Sequence, residues 1–170
     1  MNDSKSYPTP SLHVLTPEEI VLVKDSWKIP SANAVDSAEL IFYTFLSRYP
    51  EHQKRFVRFK DKPLNELKGS PFFRAHASRI YNVFDSVIDG IGKDPENKEV
   101  MSFIAESGIF HAKKKVTKQA HAELRVVLVE ILNDVCKLDE KGNVAWSKLL
   151  DIFYHVMFEC IDGRSEQFNY

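Results

Sequence analysis

Glycine is scarce in this chain, with six among 170 residues, and cysteine is scarcer, with only Cys136 and Cys160. So little glycine excludes collagen-like and glycine-rich low-complexity sequence. Two cysteines make no disulfide framework. The simpler expectation is a pair of buried free thiols in a reducing compartment, with a bridge between them left open. Neither sign of charge is in excess: Lys and Arg number 23, Asp and Glu 24, for a formal net charge of −1. That balance gives no general attraction for nucleic acid or for an acidic membrane. No apolar run approaches the ~18 residues needed to span a bilayer. The stretch from Met1 to Pro8 lacks the apolar core of a signal peptide. Asn2 stands where N-myristoylation needs glycine. The expectation is a soluble, cytoplasmic protein with neither nucleic acid nor membrane as partner. Strand-like two-residue alternation is missing throughout. Also missing are a phosphate-cradling glycine loop, a Gly-x-Ser-x-Gly elbow and a His-Glu-x-x-His pair.

What remains is helical. Hydrophobic residues make up 44% and charged residues 28%, the balance of a globular chain. A length of 170 residues suits one domain, in which roughly 70% of the unfolded surface can be buried. Residues 1–14 are polar and proline-containing and read as a flexible tail. A domain is expected over 15–163 and a C-terminal tail over 164–170. Thr16-Pro17-Glu18-Glu19 is a capping box with proline in the first turn. It opens a helix that carries Ile20, Val23 and Trp27 and that Pro30 interrupts or kinks. A second helix carries Ile41, Phe42, Phe45 and Leu46 and ends near Tyr49-Pro50. From Pro50 to Ser70 only short helical pieces are expected. Ser70-Pro71 repeats the cap-then-proline start, ahead of Phe72, Phe73, His76, Ile80, Val83, Phe84 and Val87. Three more helices follow, over about 96–111, 118–137 and 143–162, with Gly108 as a weak point in the first. The fold class is all-α, with seven to eight helices.

His76 lies on the apolar side of its helix, and His111 lies on a later helix, ahead of Lys113-Lys114-Lys115. A buried imidazole needs a hydrogen bond or a ligand to be tolerated. By spacing alone, two distant histidines are a weak metal signal, since zinc wants closer or more numerous ligands. On that ground, a helix-face histidine is more often a hydrogen-bonded core residue than a metal ligand. The three lysines read most simply as a solvated helix end favoured by the helix dipole.

The order of several features resembles the globin family, and most closely its single-domain, intracellular insect type, over about residues 15–162. Trp27 is similar to the family's first-helix tryptophan. Tyr49-Pro50-Glu51, followed by Phe56-Val57-Arg58-Phe59, resembles the turn that carries the haem-contacting phenylalanine, here Phe56. Ala75-His76-Ala77 resembles the distal position. His111-Ala-Lys-Lys-Lys-Val116 resembles the proximal histidine and the valine after it. Two departures are visible. The stretch from His76 to His111 is longer than in many globins, and Ser107-Gly108-Ile109-Phe110 replaces the usual leucine four residues before the proximal histidine.

The resemblance implies a globin fold packed around haem b (iron protoporphyrin IX). It implies His111 as the proximal iron ligand, oriented through its other ring nitrogen by a carbonyl or hydroxyl, with Ser107 the candidate. His76 becomes the distal residue, which either hydrogen-bonds a gas ligand or binds iron itself as a sixth ligand. Phe42, Phe56, Phe59, Ile80, Val83, Val116, Leu128 and Phe153 become candidate pocket residues, and Arg79 a candidate propionate partner. His121 follows too late for the proximal motif and reads as structural. The implied function is reversible binding of dioxygen and other diatomic gases, with bis-histidyl six-coordination in the ligand-free state. The alternative is a haem redox enzyme or sensor, in nitric oxide dioxygenation, nitrite reduction or reactive-oxygen handling. The redox role would need an external reductase, because the chain holds no flavin or nicotinamide module. The chain is expected as a monomer or weak homodimer.

Overall fold

A computed structural model describes residues 15–170; the expected N-terminal tail, 1–14, lies outside the described residues. Among those residues the order is α1 Pro17–Ser31, α2 Ala34–Arg48, a 3-10 helix Pro50–Arg55, a 3-10 turn Leu64–Glu66, α3 Pro71–Gly90, α4 Lys98–Lys113, α5 Lys118–Cys136, α6 Glu140–Ile161 and a last 3-10 turn Glu166–Phe168. The six α-helices and the six-residue 3-10 helix make seven, and no strand occurs among the described residues.

Four of the six α-helices, α1, α3, α5 and α6, start on a side-chain cap. Thr16 Oγ1 accepts the Glu19 N–H at 3.1 Å, and Glu19 Oε2 accepts the Thr16 N–H at 2.9 Å, which satisfies two donors that the first turn leaves free. Ser70 and Thr117 cap α3 and α5 in the same way, and Asp139 caps α6. Pro30 does not split a helix: α1 ends one residue later at Ser31, and α2 starts at Ala34. Asn97 precedes α4 with φ 50°, and its side chain accepts the Gly92 N–H at 2.8 Å, which closes the turn after α3.

The helices bury one continuous core. Trp27 stacks on Tyr81 at 4.7 Å and lies 5.8 Å from Trp146. Its Nε1 donates to Asp85 at 2.8 Å, so an indole buried at this three-helix junction keeps its donor satisfied. The tightest crossing is that of α4 and α6 at Gly108. A Cβ there would stand 2.7 Å from Cys160 Cβ and 3.1 Å from the Met157 carbonyl oxygen. Gly108, expected as a weak point, is therefore the residue that lets two long helices touch.

Cys160 is buried, Cys136 is half-buried with its Sγ against the Ser26 carbonyl, and neither forms a disulfide. The segment 164–170, expected as a tail, turns back over α4. Phe168 is buried there, and its carbonyl accepts the Ser102 hydroxyl at 3.1 Å. An apolar ring seven residues past Ile161 gave no periodic signal, so helix spacing could not place it. No helix among the described residues is long and apolar enough to cross a membrane.

Candidate functional site

Between α2, the 3-10 helix and α3 on one side, and α4, α5 and α6 on the other, lies a cavity of about 330 Å³. From α3, His76, Ile80, Val83 and Phe84 face it, at the i, i+4, i+7, i+8 spacing of one helical stripe. α2 contributes Phe42 and Phe45, the 3-10 helix His52 and Arg55, and the turn after it Phe56. From α4 come Ser107, Phe110 and His111, with Lys114 and Val116 just beyond. Ala120, His121 and Leu124 of α5 and Phe153, Tyr154 and Met157 of α6 complete it. The wall is mostly apolar with a few convergent polar groups, the composition of small-molecule and cofactor sites.

His76 stands in an aromatic enclosure. Its ring is 4.6 Å from Phe56, nearly perpendicular to it, and 5.0 Å from Phe42. Among the described residues nothing hydrogen-bonds either of its ring nitrogens. Burial pushes its pKa down to about 4, with smaller contributions from the nearby Arg79 and His111 charges. At neutral pH it is therefore a neutral imidazole with a lone pair to offer.

His111 is held differently. Its Nδ1 lies 2.7 Å from the Ser107 carbonyl oxygen and 3.5 Å from the Ser107 hydroxyl. A carbonyl only accepts, so Nδ1 carries the proton and Nε2 keeps its lone pair. That bond fixes both tautomer and ring direction, as second-partner hydrogen bonds do for metal-ligating histidines. Because α4 meets α6 at Gly108, three residues before His111, backbone contact also fixes the helix that presents the ring.

The other side of His111 holds further polar groups. His121 meets it edge to face, with ring centres 4.9 Å apart and planes at 83°. Burial pushes the His121 pKa down to about 4, with His111 adding to the effect. Its Nε2 and the Tyr154 hydroxyl are both buried without a hydrogen-bond partner among the described residues. Nearer the mouth, His52 stacks on Phe45 at 5.0 Å and pairs with Glu123 at 2.5 Å. Arg55 and Lys114, both exposed, are the cations of the wall.

Of the residues proposed from sequence, Phe42, Phe56, His76, Ile80, Val83, His111, Val116 and Phe153 share this wall. Three do not. Phe59 is buried behind Phe56, stacked on it at 5.0 Å. Leu128 sits in the core one helical turn beyond Leu124, past the reach of the cavity. Arg79 is exposed at the edge of the α3 stripe, and the wall's cations come from Arg55 and Lys114 instead. Sequence reasoning also passed over Phe45, Tyr154 and Met157. Met157 lies one turn after Phe153, so extending that stripe finds it. His52 and Arg55 come from a 3-10 helix, where a 3.6-residue period has no meaning.

An all-α fold that brings His76 and His111 to one largely apolar cavity, His111 with a locked tautomer, has the making of a haem-pocket protein. The Globin family profile matches residues 39–157, and the chain belongs to that family, whose cofactor is haem b and whose ligands are diatomic gases such as oxygen. It is 32% identical over 149 residues to globin CTT-Z of the midge Chironomus thummi piger, covering 88% of this chain and 89% of the relative. The crystal structure of hemoglobin component V from Propsilocerus akamusi superposes with a TM-score of 0.83 at 32% identity, over 91% of this chain and 97% of that one. A hexa-coordinate hemoglobin of Drosophila melanogaster superposes with a TM-score of 0.80 at 34% identity, over 85% of this chain and 94% of that one.

Proposed function

We propose that this globin reversibly binds dioxygen and other diatomic gases, with His111 as proximal ligand and His76 as a sixth ligand in the gas-free state. Haem b, held by His111, would supply an iron able to bind a diatomic gas reversibly. The observation that carries the reading is that His76 and His111 line one cavity with different constraints. His111 has one nitrogen committed to Ser107 and one free, the arrangement of a permanent ligand. His76 has no hydrogen-bonding partner among the described residues, and burial disfavours its charged form, so a lone pair is available at neutral pH. Phe42 and Phe56 pack against the His76 ring and offer it no hydrogen bond. His76 would therefore have two uses: to bind the iron itself, or to give an N–H to an arriving gas.

An incoming gas competes with an imidazole on the same chain, so apparent affinity falls in proportion to the fraction of open sites. The hexa-coordinate Drosophila relative supports this finer reading at 34% identity. The remaining residues have plainer roles: Ile80 and Val83 limit the space beside His76, and Val116 and Phe153 wall the His111 side. The unpaired thiols suit a reducing cytoplasm, and a monomer suffices for the binding reaction.

Titration of the haem-free chain with haemin, followed by absorption spectra of the ferric and ferrous forms, tests the assignment. One haem per chain with a Soret band is expected, and its loss on His111→Ala. Full stoichiometry and an unaltered spectrum in that variant would refute His111 as the ligand.

A further inference from the structure

Two imidazoles of the cavity have no part in the proposed chemistry: His52, which pairs with Glu123, and His121, which lies against His111. His121 is buried, with 7% of its surface exposed. Its Nε2 has no partner among the described residues, and its ring stands edge to face with His111 at 4.9 Å and 83°. Tyr154 and Phe158, each at 6.5 Å between ring centres, close it in from α6. A phenylalanine or leucine would fill such a place without the cost of burying a ring nitrogen that has no partner among the described residues. The contact with His111 is what an imidazole there can serve.

Building on His111 as the iron ligand, we propose that His121 is a second positioning residue of the proximal site, fixing the rotation of the His111 ring about its bond to iron and supplying a polar group beside it. The Ser107 carbonyl constrains His111 at one point, through Nδ1. One hydrogen bond sets the direction of that nitrogen but leaves the ring free to rock about the bond. A ring packed edge-on against its face removes that freedom, because rocking in either sense breaks the close contact. The polar part is separable. A neutral imidazole carries a fixed dipole that shifts the balance between the ferric and ferrous states, whereas an apolar ring of the same shape does not.

Two substitutions divide these effects in the haem-loaded protein at fixed pH. His121→Leu removes the aromatic edge and the polarity, while His121→Phe keeps the edge and removes the polarity. One readout is the g-value spread in the electron paramagnetic resonance spectrum of the ferric cyanide complex, which follows the plane of the proximal imidazole. The other is the ferric/ferrous ratio at a fixed poise. His121→Leu should change both. His121→Phe should restore the g-values and still shift the ratio several-fold from the parent's; a tenfold shift is about 59 mV for one electron. The haem-free His121→Phe chain should melt no lower than the parent, since a partnerless polar atom has gone. Parental values of both readouts in both variants would overturn the proposal. So would His121→Phe restoring the ratio as well, because shape alone would then account for everything. If His121→Leu does not fold, the ratio in His121→Phe still decides the polar role, and His121→Ile takes its place for the g-values. Failure of the His111 assignment is distinguishable, since it appears in haem stoichiometry, which neither His121 variant should alter.

Discussion

The two faces of the cavity solve the problem of a buried imidazole in opposite ways. On the His111 side the ring is over-determined: a carbonyl holds Nδ1, a second imidazole lies against its face, and its helix touches α6 backbone at Gly108. On the His76 side the ring is merely enclosed, by Phe42 and Phe56, with no hydrogen bond among the described residues. Rigid placement suits a ligand that stays on iron, and loose enclosure suits one that must leave and return. The difference teaches that, on the proposed reading, coordination number would depend less on which residues are present than on how tightly each is tied.

The largest expected effect comes from cutting the rigid side. His111→Ala should reduce haem binding to a weak, non-stoichiometric level, measured by haemin titration. Next is Gly108→Leu, which places a side chain where even a Cβ would be 2.7 Å from Cys160. Overpacking of this kind costs about 1–3 kcal/mol. The thermal midpoint should fall, and haem should leave faster than from the parent when trapped by an excess of a competing apo-globin.

On the loose side, His76→Leu should leave haem bound. It should raise apparent carbon monoxide affinity by about tenfold, the factor for a parent site open one-tenth of the time. Equal affinities in the two proteins would mean that His76 does not compete for iron.

Acid should act on both sides of the haem-free chain together. His76 and His121 have pKa values of about 4 in the fold, below the unperturbed 6.5. Between those values the unfolded chain binds more protons than the folded one, so stability rises with pH across that window. Denaturant midpoints of the haem-free chain should thus fall as pH is lowered from about 6.5 to about 4. The double variant His76→Leu/His121→Phe should flatten that slope.

Ser107→Ala should have the smallest effect. The backbone carbonyl, not the hydroxyl at 3.5 Å, holds Nδ1, so haem off-rates should stay within about twofold, less than 0.5 kcal/mol.

Much of the comparison is legible in the sequence, though unevenly. Thr16, Ser70 and the α3 stripe place their helices because caps and 3.6-residue spacing are local properties. His76 and His111 emerge from their order relative to Trp27, Pro50 and Phe56. Ser107 as the partner of His111 follows from a spacing of four on a helix. What stays hidden is tertiary. Nothing near His121 in the chain says that it meets His111, and an unbroken helix gives no sign that Gly108 is needed where α4 touches α6. Phe59, Arg79 and Leu128 are proposed from positions close to the right ones, yet a single turn of helix, or one ring stacked behind another, takes them off the cavity wall.

The most direct measurement is the visible spectrum of the ferrous protein without gas, recorded for the parent and for His76→Leu. Sharp α and β bands in the parent, replaced by one broad band in the variant, are the expected result. One broad band in both proteins would contradict the account, since the loosely held imidazole would then never occupy the iron.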